Sequence, residues 1–233
     1  MKIGIHMPAK IGDIIIGLPI AKYYADQGHE IFWGIDKGII NNFQDYVDYV
    51  NFIPVEATWF TYYDEGKKAL AHCDKVFELT YRFPNFEKTN NFHASGETFD
   101  KFRYTDTQVP FEEKWKLQIN RNYKKEKELY QQIVKDKDSY FVQQLQCSDP
   151  FIHNFKFEYP KDANIINIEP VPGYSVFDWL TIFEKSQGAV LIDSCFANLL
   201  DQLNISHIKK YFIKRSDPIA TPVLKKENNW IFL

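Results

Sequence analysis

The chain begins with a strand, a loop and a helix in immediate succession, MKIGIHMPAKIGDIIIGLPIAKYYADQGHEIFWGI, and that order constrains the rest. Residues 2–7 read as a short buried strand, and residues 13–27 carry apolar side chains at helical spacing until Gly28 stops them. The pattern then predicts a strand over 30–35, a helix over 38–46, a strand near 50–55, a helix near 64–72 and the strand KVFEL at 75–79. Strands alternating with helices imply parallel pairing through crossover helices, the doubly wound Rossmann-like arrangement.

Residues 81–111, YRFPNFEKTNNFHASGETFDKFRYTDTQVPF, interrupt this order with rings, Asn, Thr and Pro and no clear periodicity. So long an irregular stretch reads as an acceptor-binding flap or as a connection whose rings cap the core. The charged run EEKWKLQINRNYKKEKELYQQIVKDKD then reads as a helical or bridging segment. Beyond it strands are expected at 139–146, 164–170, 189–193 and 209–214, with helices at 175–187 and 194–204. The expected fold is therefore α/β, with two Rossmann-like domains facing across a cleft and the C-terminal one reduced. Residues 1–125 form the first and residues 126–233 the second.

A length of 233 residues allows either one large domain or two small ones, each with a core. The net charge of −3 supplies no overall field that would draw the chain to nucleic acid or to an anionic membrane. Cys73, Cys147 and Cys195 are odd in number and lack metal spacing, which favours a reducing compartment over a disulfide framework. No apolar run approaches the ~20 residues needed to cross a bilayer and no signal peptide is visible, so a cytoplasmic protein is expected.

Ligand crevices of doubly wound sheets lie at the carboxyl ends of strands. The loops of interest are PAKIGD at 8–13, EPVPGYS at 169–175 and DS at 193–194. A single Gly in the first of these argues against a dinucleotide fingerprint, and neither a phosphate loop of the hydrolase type nor a GxSxG elbow is present. The six His residues are dispersed, so no metal site is expected. Asp13 at the mouth of an apolar helix admits two readings, an N-cap or a carboxylate aimed at a ligand.

At this point the residues resemble a known family. GDIIIGLPIAKYY after a short strand resembles the amino-terminal signature of glycosyltransferase family nine, the lipopolysaccharide heptosyltransferases: a strand, Gly-Asp, four residues, Leu/Thr-Pro and a helix. FDWLTIFEKSQGAVLIDSCFANLLDQLNI resembles the donor-side segment of GT-B glycosyltransferases, and KFRYTDTQVPFEEKWKLQINRN resembles the acceptor-to-linker region of small relatives. Cys195 stands where the family has Gly and Asn198 where it has His, so the donor's identity does not carry over.

The resemblance implies a GT-B glycosyltransferase, inverting and independent of metal, with no cofactor beyond its nucleotide-sugar co-substrate. Asp13 is then the general base. Gly12, Glu169, Tyr174, Ser175, Asp193, Ser194 and Asn198 are the donor-binding candidates, and His93, Arg103 and Tyr104 the acceptor-binding ones. Lys10, and Arg121 in the cationic stretch around Lys114, Lys116, Lys124, Lys125 and Lys127, are the candidates for phosphate. The bland alternatives are helix capping for Asp193 and Ser194 and solvation for Glu169, His93 and the cationic face. The partners implied are a nucleotide sugar and a hydroxyl acceptor, a glycan or another alcohol. Two rival functions remain open: a non-catalytic nucleotide or sugar-phosphate binding module, and a glycosyltransferase acting on hydroxymethylated DNA bases.

Overall fold

Ile3 and Ile5 alternate into the core of the first sheet, which the computed structural model builds from β1 (Lys2–His6), β2 (Glu30–Asp36), β3 (Asn51–Val55) and β4 (Lys75–Glu78). The structure describes residues 1–8, 10–56, 62–81, 86–146, 156–214 and 221–233. Ala9 of the first loop, residues 82–85 of the aromatic stretch and Cys147 lie outside these described residues. Two units divide the chain, Met1–Asn120 with Pro218–Val223 and Arg121–Asp217 with Leu224–Leu233.

In the first unit all pairings are parallel and the strand order is β3-β2-β1-β4. The chain steps outward from β1 to β3 and returns to the far side of β1 for β4. That reversal makes the gap between β1 and β4 the topological switch point. Helix α1 (Ile11–Ala25) is apolar around its circumference and is buried throughout its middle, from Ile14 to Ala21. Gly17 permits this: a Cβ there would lie 2.7 Å from the Trp33 ring, whose indole N–H donates to the Met7 carbonyl. Helix α2 (Tyr62–Ala69) carries Gly66, where a Cβ would meet the His6 imidazole at 2.2 Å.

Two expectations are corrected here. Residues 38–46 form only a single 3-10 turn, Ile40–Asn42, with Phe43 and Tyr46 buried behind it. Gly38, Asn41 and Asn42 favour local turns over helix, and the Gly38 N–H bonds back to the Asp36 carboxylate. The stretch expected to be irregular instead forms helices α3 (Phe86–Ser95) and α4 (Phe99–Thr107), separated at Gly96, whose φ of 66° is left-handed. The buried residues of α4 are Asp100, Arg103, Tyr104 and Thr107, spaced i, i+3, i+4, i+7. This is a helical stripe made of polar and aromatic groups, which a search for apolar periodicity passes over.

The second unit also has a parallel sheet, of β5 (Tyr140–Gln144), β6 (Asn164–Asn167), β7 (Gly188–Ile192), β8 (Lys209–Ile213) and β9 (Trp230–Phe232), in the order β6-β5-β7-β8-β9. Its switch point lies between β5 and β7. Strand β9 was not expected from the sequence, being three residues beside a Lys- and Asn-rich turn. Helix α5 (Tyr123–Val134) is capped by the Asn122 side chain. A 3-10 turn, Val176–Trp179, leads into α6 (Leu180–Glu184), and α7 (Cys195–Gln202) follows β7. Val190, Ile192 and Ile213 form a core cluster on this sheet, covered by Leu145, Phe157, Tyr159 and Tyr211.

Each unit ties down its own side of the chain crossings. In the first, the Lys114 ammonium lies 2.5 Å from Asp100, both fully buried, and the backbone of Val223 bonds both side chains. In the second, buried Asp201 accepts from the Lys225 N–H, the Asn228 amide and the Trp230 indole.

Candidate active site

Asp13 stands in the first turn of α1, at the carboxyl end of β1 and hence at the first sheet's switch point. It is not the N-cap. That position belongs to Lys10, whose φ of 73° is left-handed and whose side chain caps nothing. A non-glycine residue held there costs on the order of 1 kcal/mol and must be over-determined by its surroundings.

Its partner comes from α4. Arg103 Nη1 donates to Asp13 Oδ1 at 2.9 Å, and Arg103 Nε donates to the carbonyl of Leu79, the residue just past β4. The pair therefore spans the gap between β1 and β4. The Arg103 side chain is 8% exposed and that of Asp13 26%, so the guanidinium is the buried anchor and the carboxylate the accessible group. No hydrogen bond to Asp13 Oδ2 is made among the described residues. Around the guanidinium stand the rings of Phe99 at 4.9 Å and Tyr81 at 5.8 Å. Burial raises the Tyr81 hydroxyl above its ordinary range, so it stays neutral. Across the same gap His6 Nδ1 of β1 lies 3.9 Å from Glu78 Oε1 of β4.

The acceptor-side expectations fare unevenly. Arg103 is on a helix and pairs with Asp13. Tyr104 is fully buried and its hydroxyl donates to the Ile16 carbonyl, a packing role set by the i+1 position beside Arg103. His93 is exposed in the last turn of α3, with its ring against Phe92. Gly12 is the second residue of α1, and Lys10 is exposed at the helix entry.

Arg121, expected at a phosphate, is instead saturated by carboxylates. It makes two bonds to Glu126 and two to Glu184, between 2.6 and 2.9 Å. Glu126 also accepts from the Thr181 hydroxyl and N–H, so the network staples α5 to α6. The expectation failed because the two acids are 5 and 63 residues away in sequence.

In the second unit the carboxyl ends of β6, β5 and β7 lie along one edge, bringing Glu169, Gln144, Asp193 and Ser194 to the same end of the sheet. Ser194 occupies the N-cap position of α7, yet its hydroxyl donates to Gln144 Oε1 and no side chain caps the helix. That bond spans the β5–β7 switch point. Gln144 was not singled out in the sequence; its place as the last residue of a strand was the available signal. Asn198 is buried, its amide donating to the Ser194 carbonyl while its Oδ1 has no hydrogen-bond partner among the described residues. Asp193 is buried at 4% exposure beside them. Burial pushes the Cys195 thiol up to about 12, against the pull of the backbone N–H groups of Phe196 and Cys195, so the thiol stays protonated near neutrality.

Glu169 is exposed and Tyr174 half-buried. Ser175 is corrected to a structural role. It is buried, its hydroxyl accepts from the Phe177 N–H, and its own N–H donates to Asp178, a complete capping box. Among the described residues no group of three or more His, Cys, Asp or Glu is placed to hold a metal ion, and no helix is long and apolar enough to cross a membrane.

No family model matches the chain, and no curated protein matches it in sequence. Solved structures do match. The whole chain superimposes on 85% of a glycosyl transferase family 9 protein from Veillonella parvula, with a TM-score of 0.63 and 11% identity. It covers 92% of the E. coli heptosyltransferase WaaC with ADP, at a TM-score of 0.52 and 14% identity. It also matches 62% of the iron-containing dodecameric glycosyltransferase TibC from enterotoxigenic E. coli, at a TM-score of 0.55 and 10% identity. These likenesses show the fold, α/β with two parallel sheets, to be similar to that of the family the GDIIIGLP segment resembles.

Proposed function

We propose that the protein is a glycosyltransferase that moves a sugar from a nucleotide-activated donor to a hydroxyl acceptor, with Asp13 as general base. The observation that carries this reading is the state of the Asp13 carboxylate: one oxygen clamped by Arg103, the other without a partner among the described residues, at the carboxyl end of β1. Structural neighbours that are glycosyltransferases, one of them holding ADP, support the same class of chemistry.

In the proposed reaction the acceptor oxygen forms a bond to the anomeric carbon as the bond to the nucleoside diphosphate breaks. The electron pair leaves on the phosphate oxygen, and the acceptor proton passes to Asp13 Oδ2. Attack from the face opposite the leaving group inverts the configuration. The departing diphosphate is assigned to the second unit, where the uncapped start of α7 offers backbone N–H groups and the positive end of the helix dipole, beside Ser194, Asp193 and Asn198. This stabilisation calls on no metal.

Cys195 and Asn198, departures from the family pattern at this second site, favour one of the two rivals, a nucleotide-binding module without transfer. Release of nucleoside diphosphate from UDP-glucose, UDP-N-acetylglucosamine, GDP-mannose and ADP-glucose, with and without added alcohols, separates the two. The transferase turns over at least one donor, and Asp13→Asn lowers kcat by roughly 10²- to 10⁴-fold while the protein stays folded. Undiminished turnover in that variant rejects the base assignment. Binding of UDP or ADP, seen as a raised Tm, with no donor consumed establishes the module instead.

A further inference from the structure

We infer that Arg103 is the positioning residue for Asp13, fixing the orientation of its carboxylate through a rigid placement of helix α4. The inference rests on the transfer reading for its kinetic consequence and on the geometry of the first unit alone for its structural one.

Three features make Arg103 a fixture. Its guanidinium divides its donors between two elements, Nη1 to Asp13 on α1 and Nε to the Leu79 carbonyl beyond β4, so it cannot follow the carboxylate if that swings away. The flanking Phe99 and Tyr81 rings leave it little water, which strengthens both bonds. The helix that carries it is itself pinned on the same face. One turn earlier Asp100 is locked to Lys114 and to the Val223 N–H; at the next residue the Tyr104 hydroxyl bonds the Ile16 carbonyl; one turn later the Thr107 carbonyl accepts from Tyr24 of α1. Successive bonds from Asp13, Ile16 and Tyr24 thus align α1 with α4.

The consequence for chemistry is directional. A carboxylate held by one oxygen presents the other at a set angle, and the entropy of searching for that angle is removed before the acceptor arrives. A surface arginine paired with a mobile acid would do none of this, because an exposed pair is worth little and fixes nothing. Lysine in its place keeps the charge but has one nitrogen, so it cannot hold both Asp13 and the Leu79 carbonyl with the planar fork.

The test uses the full chain and the variants Arg103→Gln, Arg103→Lys, Asp13→Asn and the double variant Asp13→Asn with Arg103→Gln. Kinetically, Arg103→Gln lowers kcat on the order of 10²-fold with the donor KM unchanged, and Arg103→Lys recovers part of the rate. A raised donor KM with kcat intact overturns the inference and makes Arg103 a substrate contact. Urea unfolding of the four proteins supplies a readout that needs no turnover: the two single changes are non-additive if the pair is fixed, and strict additivity overturns the inference. A wild-type protein inactive toward every donor removes the transfer reading, while the unfolding cycle still decides whether Arg103 holds Asp13.

Discussion

Each sheet reverses its strand order at one gap, and in each unit a side-chain bridge spans that gap, but the two bridges differ in kind. The first is an ion pair, Asp13 to Arg103, drawn from α1 and α4. The second is neutral, Ser194 to Gln144, with Asn198 Oδ1 buried nearby and unbonded among the described residues. A similar difference separates two of the buried carboxylates: Asp100 meets the Lys114 ammonium, whereas Asp201 receives N–H groups of Lys225, Asn228 and Trp230. At its gap the first unit thus pairs charge with charge and leaves one oxygen of the Asp13 carboxylate without a hydrogen-bond partner among the described residues. At its gap the second unit carries no ion pair among the described residues, and the start of α7 has no side-chain cap.

The largest effect expected from breaking this contrast is at the paired charge. Lys114→Met strands the Asp100 carboxylate in a dry core and lowers unfolding stability by about 3–5 kcal/mol, measured by urea denaturation. A loss below that of an ordinary surface substitution would mean that the Asp100–Lys114 pair is solvated.

A smaller effect belongs to the neutral bridge. Ser194→Ala removes one hydrogen bond and lowers the stability of the ligand-free protein by about 1 kcal/mol. The sharper readout is the rise in Tm on adding UDP or ADP, which shrinks in this variant if the β5–β7 gap holds the diphosphate. An undiminished rise moves the nucleotide elsewhere.

The smallest effect is a slope. Lys210 is fully buried, its ammonium donates to the Ile205 carbonyl, and burial brings it down to about 8, with Asp201 acting in the opposite sense. Between about 8 and the ordinary lysine value of 10.5 the unfolded chain binds the proton and the folded chain does not. More protons on the unfolded side means that stability from this group rises with pH through that window and is lowest below it. Lys210→Met flattens the stability-against-pH curve there, and an unchanged slope assigns the titration to other groups.

The strands and α1 were legible because their apolar patterns are local and strong, as in KIGIH, EIFWGID and GAVLI. Helices α3 and α4 were not, since the buried stripe of α4 is Asp, Arg, Tyr and Thr. Strand β9 was too short to stand out, and the 38–46 segment lost its helix to Asn and Gly. Of the candidate site, Asp13 was found by its place after the first strand, and Asp193 and Ser194 by theirs after β7. Arg103, expected on the acceptor side, bonds Asp13; Arg121, Tyr104 and Ser175 turned out to be committed to Glu126 and Glu184, to the Ile16 carbonyl and to a helix cap.

By itself the sequence determined the alternation of strands and helices, hence parallel sheets with their crevices at the strand ends, and it placed one carboxylate at such an end. Only the tertiary structure decided what that carboxylate touches. Periodicity is a relation among residues within a few turns of one another, whereas Asp13 and Arg103 are 90 residues apart and meet only because β1, β4 and α4 pack together.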